Sequence, residues 1–103
     1  MVLIEAHREA LKERRKLPSL VGAEFGLVEE VLRVDPFAKG LTHKREQGWG
    51  RRLVLAAEVS HQRTAYRMAW EVLQAAGGDQ RVLIWAYGSH EGFYARLRRR
   101  ARQ

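Results

Sequence analysis

Apolar positions recur with a helical period through the first third of the chain. Between Val2 and Lys16, Leu3 or Ile4, His7, Ala10 or Leu11 and Arg14 fall on one side of a helix. Its basic finish, Arg14-Arg15-Lys16, suits the negative pole of the helix dipole, and Pro18 stops it. Ser19 is placed to cap a second helix over 20–30, in which Leu20, Ala23, Leu27 or Val28, Val31 and Val34 share a face. The stretch from Phe25 to Val34 also alternates weakly, so extended structure is allowed from Val31 to Val34. Asp35-Pro36 breaks the pattern.

Residues 37–50 carry Gly40, Gly48 and Gly50 among mostly polar and basic side chains and read as a basic, mobile loop. Leu53 to Val59 is almost wholly apolar, as in a strand buried on both faces, although one helix over 51–76 is a serious rival. From Gln62 onward Ala65, Met68 or Ala69, Val72, Leu73 and Ala76 recur at helical spacing, and Gly77-Gly78 is a strong stop. Val82 to Tyr87, rich in β-branched and aromatic residues, predicts a strand. Glu91 to Arg102 sets Phe93 or Tyr94, Leu97 and Ala101 against arginines, an amphipathic basic helix. The expected fold is a small α/β domain spanning 1–103, with N-terminal helices, then a βαβα unit with a short sheet and a basic C-terminal helix.

With 103 residues the chain is long enough to fold alone but short enough for a partner, such as a second copy, to complete its core. It has no cysteine, which removes disulfide frameworks and thiolate metal sites and fits a reducing cytoplasm. The longest apolar runs fall far below a membrane span, so no membrane partner is expected.

A formal net charge of +7 changes the picture, because a basic surface attracts polyanions and makes nucleic acid the leading partner class. The cations cluster at Arg14-Arg15-Lys16, at Lys44 and Arg45 with Arg51 and Arg52, and at Arg96, Arg98, Arg99 and Arg100 with Arg102. Glu91 is the only acid from Leu83 to the terminus, so the last cluster needs solvent, distant acids or phosphate. Trp49, between two glycines in the basic loop, is a candidate base-stacking platform, or a lid folded back on the core.

Two segments echo one another: Arg52 to Ser60-His61, and Arg81 to Ser89-His90, each an apolar run closing on Ser-His. Two successive βα units of one parallel sheet would bring both pairs to one rim. Ser60 and Ser89 would then cap helices, leaving backbone N–H groups for a phosphate, and His61 and His90 would donate to it or move protons near neutral pH.

Glu58 is a carboxylate near the end of an apolar strand, costly unless paired, solvated or metal-bound, and Asp35 is placed similarly. With a strand over 53–58, a helix over 63–76 and a strand over 82–87, this pattern resembles the restriction-endonuclease-like nuclease fold. That resemblance implies Asp35 and Glu58 as ligands of Mg2+ or Mn2+, while the family's lysine position is Ser60 here. Three functions follow: a nucleic-acid binder using the arginine clusters and the Ser-His rim; a divalent-metal nuclease, active or degenerate, using Asp35 and Glu58 with His61 or His90; and a non-catalytic subunit docking on a partner protein.

Overall fold

In the computed structural model, which describes residues 2–37, 43–46, 48–74 and 78–102, the chain begins with a strand where a helix is expected. In β1 (Val2–Ala6) Val2, Ile4 and Ala6 are partly buried and Leu3 and Glu5 exposed, and the strand runs parallel to β5 (Gln80–Ser89). Five residues satisfy a period of two and part of a period of 3.6 alike; the distant partner strand decides between them. Helix α1 (Arg8–Arg15) starts at His7, whose Nδ1 accepts from the backbone N–H of Glu9 at 3.2 Å. Helix α2 (Ser19–Val34) follows Pro18 and runs through to Val34, with no extended end.

Apolar side chains occupy two sides of α2. Val21, Phe25, Val28 and Leu32, at helical spacing, form the buried stripe that packs on the sheet. Of the predicted face, Val28 and Val31 do pack on the core, but Leu20, Leu27 and Val34 look outward, at 68%, 61% and 85% exposed. Both stripes obey the same period, so hydropathy alone does not choose between them.

Residues 43–45 form β2, antiparallel to β3 (Leu53–His61), while 38–42 and 47, from the predicted loop, lie outside the described residues. The largest departure comes next. Gln62 and Arg63, at φ 48° and 66°, make a two-residue left-handed turn of the kind that suits the twist of a hairpin, and the chain returns as β4 (Thr64–Gln74). The helix expected over 62–76 is therefore a strand as far as Gln74, and the rival single helix over 51–76 is absent as well. Because β4 is central, apolar residues line both of its faces, and this hides the alternation of Thr64, Tyr66, Met68, Trp70 and Val72 against Ala65, Arg67 and Ala69.

The sheet order is β1-β5-β4-β3-β2, with β1 and β5 parallel and the other neighbours antiparallel. The α/β class holds, but the βαβα unit is replaced by a β3-β4-β5 meander. β3 and β5 still run in the same sense with β4 between them, so Ser60, opposite Ala65, and Ser89, opposite Tyr66, reach the same end of the sheet. Neither serine caps a helix: Ser60 lies within β3, and the last helix, α3 (Phe93–Ala101), starts after Gly92 at φ 70°.

The helices cover both faces. α1 and α2 enclose a large-residue core that includes Phe25, Leu32, Met68 and Trp70. On the other face Val54, Ala56, Ala69 and Ala86 meet Phe93, Leu97 and Ala101 of α3. The alanines there leave room for α3 to approach the sheet closely. β1 ends opposite Ile84, and beyond it the edge of β5 is closed by side chains. The Glu13 carboxylate accepts from Tyr87 N at 3.1 Å, and Arg100 donates to Glu13 at 2.8 and 2.7 Å and to Trp85 O at 3.1 Å. Among the described residues no helix is long and apolar enough to cross a membrane.

Candidate active site

At the end of the sheet that holds the β3–β4 turn, on the face covered by α3, a polar cluster interrupts the apolar packing. Strand alternation aims Glu58 of β3 and Arg67 of β4 to this face, and the register sets them directly opposite each other. Arg67 Nη2 lies 2.8 Å from Glu58 Oε1, and Nη1 donates to the hydroxyl of Tyr94, on the first turn of α3. The guanidinium carbon also sits 5.4 Å from the Tyr94 ring centre, and the Tyr94 hydroxyl donates to Glu46 at 3.3 Å. His90 packs edge-on against Tyr94 with ring centres 5.8 Å apart, and its backbone is anchored by a bond from its N–H to Ala65 O at 2.9 Å.

The electrostatics follow from these contacts. The Arg67 side chain is only 12% exposed, and its Nε is buried with no acceptor among the described residues. Glu58, 41% exposed, meets solvent on the side away from Arg67. Burial, and then the Glu46 charge, push the Tyr94 hydroxyl above the usual phenol range against the pull of Arg67, so Tyr94 stays a neutral donor and acceptor. A carboxylate open to solvent, a fixed guanidinium and an imidazole thus share one patch, a combination able to take up a proton, hold an anion and give a proton back.

On the opposite face of the same sheet end lies an open groove of about 490 Å³, lined among others by Lys16, Thr64, Tyr66, Ser89 and Arg96. Its one carboxylate, Glu13, is already held by Arg100, Arg96 and the Tyr87 N–H. Burial alone would raise the Glu13 pKa, but these donors outweigh it and hold it below the ordinary carboxylate range.

The predicted residues separate into groups. Glu58 and His90 do meet, through Arg67 and Tyr94. His61 does not join them, since alternation turns it to the face of α1 and α2. Asp35 lies on that face too: it follows α2, accepts from Phe37 N at 3.0 Å, and its neighbour Pro36 accepts from the buried Trp70 indole at 3.2 Å. Asp35 and Glu58 therefore do not make a metal pair, and among the described residues no three His, Asp or Glu side chains gather as a metal site would require.

The arginines separate likewise. Arg52 donates to Glu71 at 2.8 and 2.6 Å and to Ala101 O at 2.6 Å, and Arg100 is committed to Glu13. Both are structural in this fold. Trp49 is stacked between Arg52 and Arg102, 5.2 and 5.3 Å from its ring centre, and packs on the α3 core as a lid. Arg51, Arg98 and Arg99 are exposed, Lys44 and Arg45 lie on β2, Ser60 is exposed beyond Glu58, and Ser89 and Arg96 line the groove. Arg67, Tyr94 and Glu46 were missed from the sequence; a β3–β4 hairpin would have placed Arg67 opposite Glu58, but burial of both faces of β4 hides the alternation that would signal it.

In fold the chain is similar to a double arginine-to-alanine mutant of the E. coli toxin RelE in its free state. The TM-score is 0.62 over 96% of this chain and 92% of that one, at 18% sequence identity. No family model matches the chain, and no curated protein matches its sequence. This similarity overturns the resemblance to the restriction-endonuclease-like fold. The acid-bearing strand at Asp35 is the end of a helix, and the helix expected between the later strands is β4.

Proposed function

We propose that this protein is a toxin-like ribonuclease, in which Glu58, Arg67, His90 and Tyr94 cleave an RNA backbone by general acid–base catalysis. A nucleic-acid target is compatible with the fold shared with the toxin RelE and with the +7 charge. The choice of RNA rests on chemistry. A single carboxylate beside an imidazole suffices when the nucleophile is built into the substrate, as the ribose 2′-hydroxyl is.

In the proposed step Glu58 accepts the proton of the 2′-hydroxyl as its oxygen bonds to the adjacent phosphorus. The bond from phosphorus to the 5′-oxygen breaks, and protonated His90 gives its proton to that leaving oxygen. The products are a 2′,3′-cyclic phosphate and a 5′-hydroxyl end. Arg67 holds the phosphoryl oxygens as negative charge builds, and Tyr94 keeps the guanidinium in place. The observation that carries this reading is the buried Arg67 Nε, which has no acceptor among the described residues although its other nitrogens are fixed by Glu58 and Tyr94. A buried donor without a partner is costly, and a small shift of the side chain toward solvent would let a phosphoryl oxygen supply that partner.

The test is cleavage of an oligoribonucleotide, free and in a translation extract, against the same sequence with 2′-deoxy positions. Wild-type protein is expected to cut RNA and spare the deoxy positions, and Glu58→Gln to be slower by about 10²–10⁴-fold. Equal cutting at deoxy positions, or full activity in Glu58→Gln, overturns the reading.

A further inference from the structure

The groove on the opposite face of the sheet end is not used by the acid–base cluster, yet it is built around a cation. Gly88, at φ +156° in β5, lies under the Arg96 guanidinium so closely that a Cβ there would meet Nη2 at 2.5 Å. Gly92, at φ +70°, lets the chain turn back beneath the same group, where an added Cβ would stand 3.6 Å from Nη1. Two glycines thus hold Arg96 against the floor of the groove. Its Nε lies 3.2 Å from a Glu13 oxygen but is buried without a hydrogen-bond acceptor among the described residues. Glu13 does not neutralise the groove, because Arg100 takes both of its carboxylate oxygens. Lys16 adds an exposed second cation from the end of α1, and Thr64, Tyr66 and Ser89 add hydroxyls.

A concave site with two cations, three hydroxyls and an aromatic ring suits a phosphate and the base attached to it. Its volume of about 490 Å³ falls in the range of small-ligand sites, so it would take a nucleotide unit of an unpaired strand and not a duplex. Its position is telling. Tyr66 and Ser89, which line it, are followed in the chain by Arg67 and His90 of the acid–base cluster. Side chains of consecutive strand residues point to opposite faces, so Tyr66 and Ser89 lie back to back with the cluster, while Arg96 of α3 reaches the groove around the edge of β5, toward Glu13 of α1.

We propose that this groove is a second nucleotide subsite, in which Lys16 and Arg96 hold a backbone phosphate flanking the cleaved one and the Tyr66 ring stacks on its base. The inference rests on the ribonuclease reading, since it takes the strand to pass over the sheet end from the cluster to the groove. It gives the groove cations a role in gripping the strand and none in moving protons.

The test is fluorescence-anisotropy binding of a 2′-O-methyl hexanucleotide, which this chemistry cannot cut, over a series of salt concentrations. Lys16→Gln and Arg96→Gln are each expected to weaken binding several-fold and to lower the slope of log affinity against log salt by about 0.7, as one lost phosphate contact on a single strand does. Tyr66→Leu is expected to weaken binding with the slope unchanged. Lys16 is exposed, so its variant keeps the test valid if Arg96→Gln disturbs the fold. Unchanged affinity and slope in Lys16→Gln, with binding still lost in Arg67→Gln, overturns the subsite and leaves the ribonuclease reading standing. No affinity in the wild-type protein overturns both.

Discussion

Glu58 and Arg67 face each other across β3 and β4 and pair at 2.8 Å, on the α3 face where Ala56 and Ala69 stand further along the same strands. The pair is incomplete as a structural device, because the carboxylate is 41% exposed and one guanidinium nitrogen has no acceptor among the described residues. A salt bridge this open contributes little to stability. In the proposed reaction it fixes the guanidinium for the phosphate.

Replacing Arg67 separates charge from geometry. Arg67→Lys keeps the cation but loses the fork that reaches Glu58 and Tyr94 together. The expected result is a fall of about 10²–10³-fold in single-turnover RNA cleavage, with a melting temperature close to wild type. Retention of full activity would mean that a point charge is enough there.

The pair of Arg52 and Glu71 ties stability to pH. Glu71, 4% exposed, accepts from Arg52 at 2.8 and 2.6 Å and from the Trp85 indole at 3.0 Å. The Arg52 hydrogen bonds hold its pKa below the ordinary carboxylate range despite burial. A lowered folded-state pKa means that the stabilisation is complete above the ordinary carboxylate range and is lost as pH falls through the folded value. Thermal melts should therefore show the melting temperature dropping in acid below about pH 4. Glu71→Gln should melt lower at neutral pH and show a shallower acid decline.

The two apolar stripes of α2 predict opposite outcomes. Phe25→Ala removes a fully buried ring and should cost about 3–5 kcal/mol in denaturant unfolding. Leu27→Ala, on the outward stripe, should stay within about 0.5 kcal/mol of wild type.

The seal at the sheet edge is testable through its centre. Glu13→Gln weakens the grip of Arg100 and the cap on the Tyr87 N–H, leaving a buried guanidinium without its counter-charge. Hydrogen exchange should speed up at Tyr87 before it does at Val82, which lies beside β1.

What could be read in the sequence was local. The basic C-terminal helix and the second helix follow from periodicity, the strands around Val54 and Ile84 from their short apolar runs, and the echoed Ser-His ends did identify one end of the sheet. What was missed depended on partners far away in the chain. β1 is a strand because β5 lies beside it, and β4 looked helical because burial on both faces erased its alternation. Glu58 and His90 stood out as ionisable groups closing apolar runs. Arg67 and Tyr94 did not, since one looked like a helix surface and the other like a choice between core positions. The committed arginines, Arg52 and Arg100, show that a cluster of cations in sequence is not a cluster in space: acids from β4 and α1 had already claimed them.

The most direct measurement is the chemical nature of the RNA ends, read by mass spectrometry after cleavage of a defined oligoribonucleotide by the wild-type protein. Transfer to the internal 2′-hydroxyl, with Glu58 as base and His90 as acid, predicts a 2′,3′-cyclic phosphate facing a 5′-hydroxyl, and loss of both ends in Glu58→Gln. A 5′-phosphate facing a 3′-hydroxyl would mean that water is the nucleophile and would contradict it.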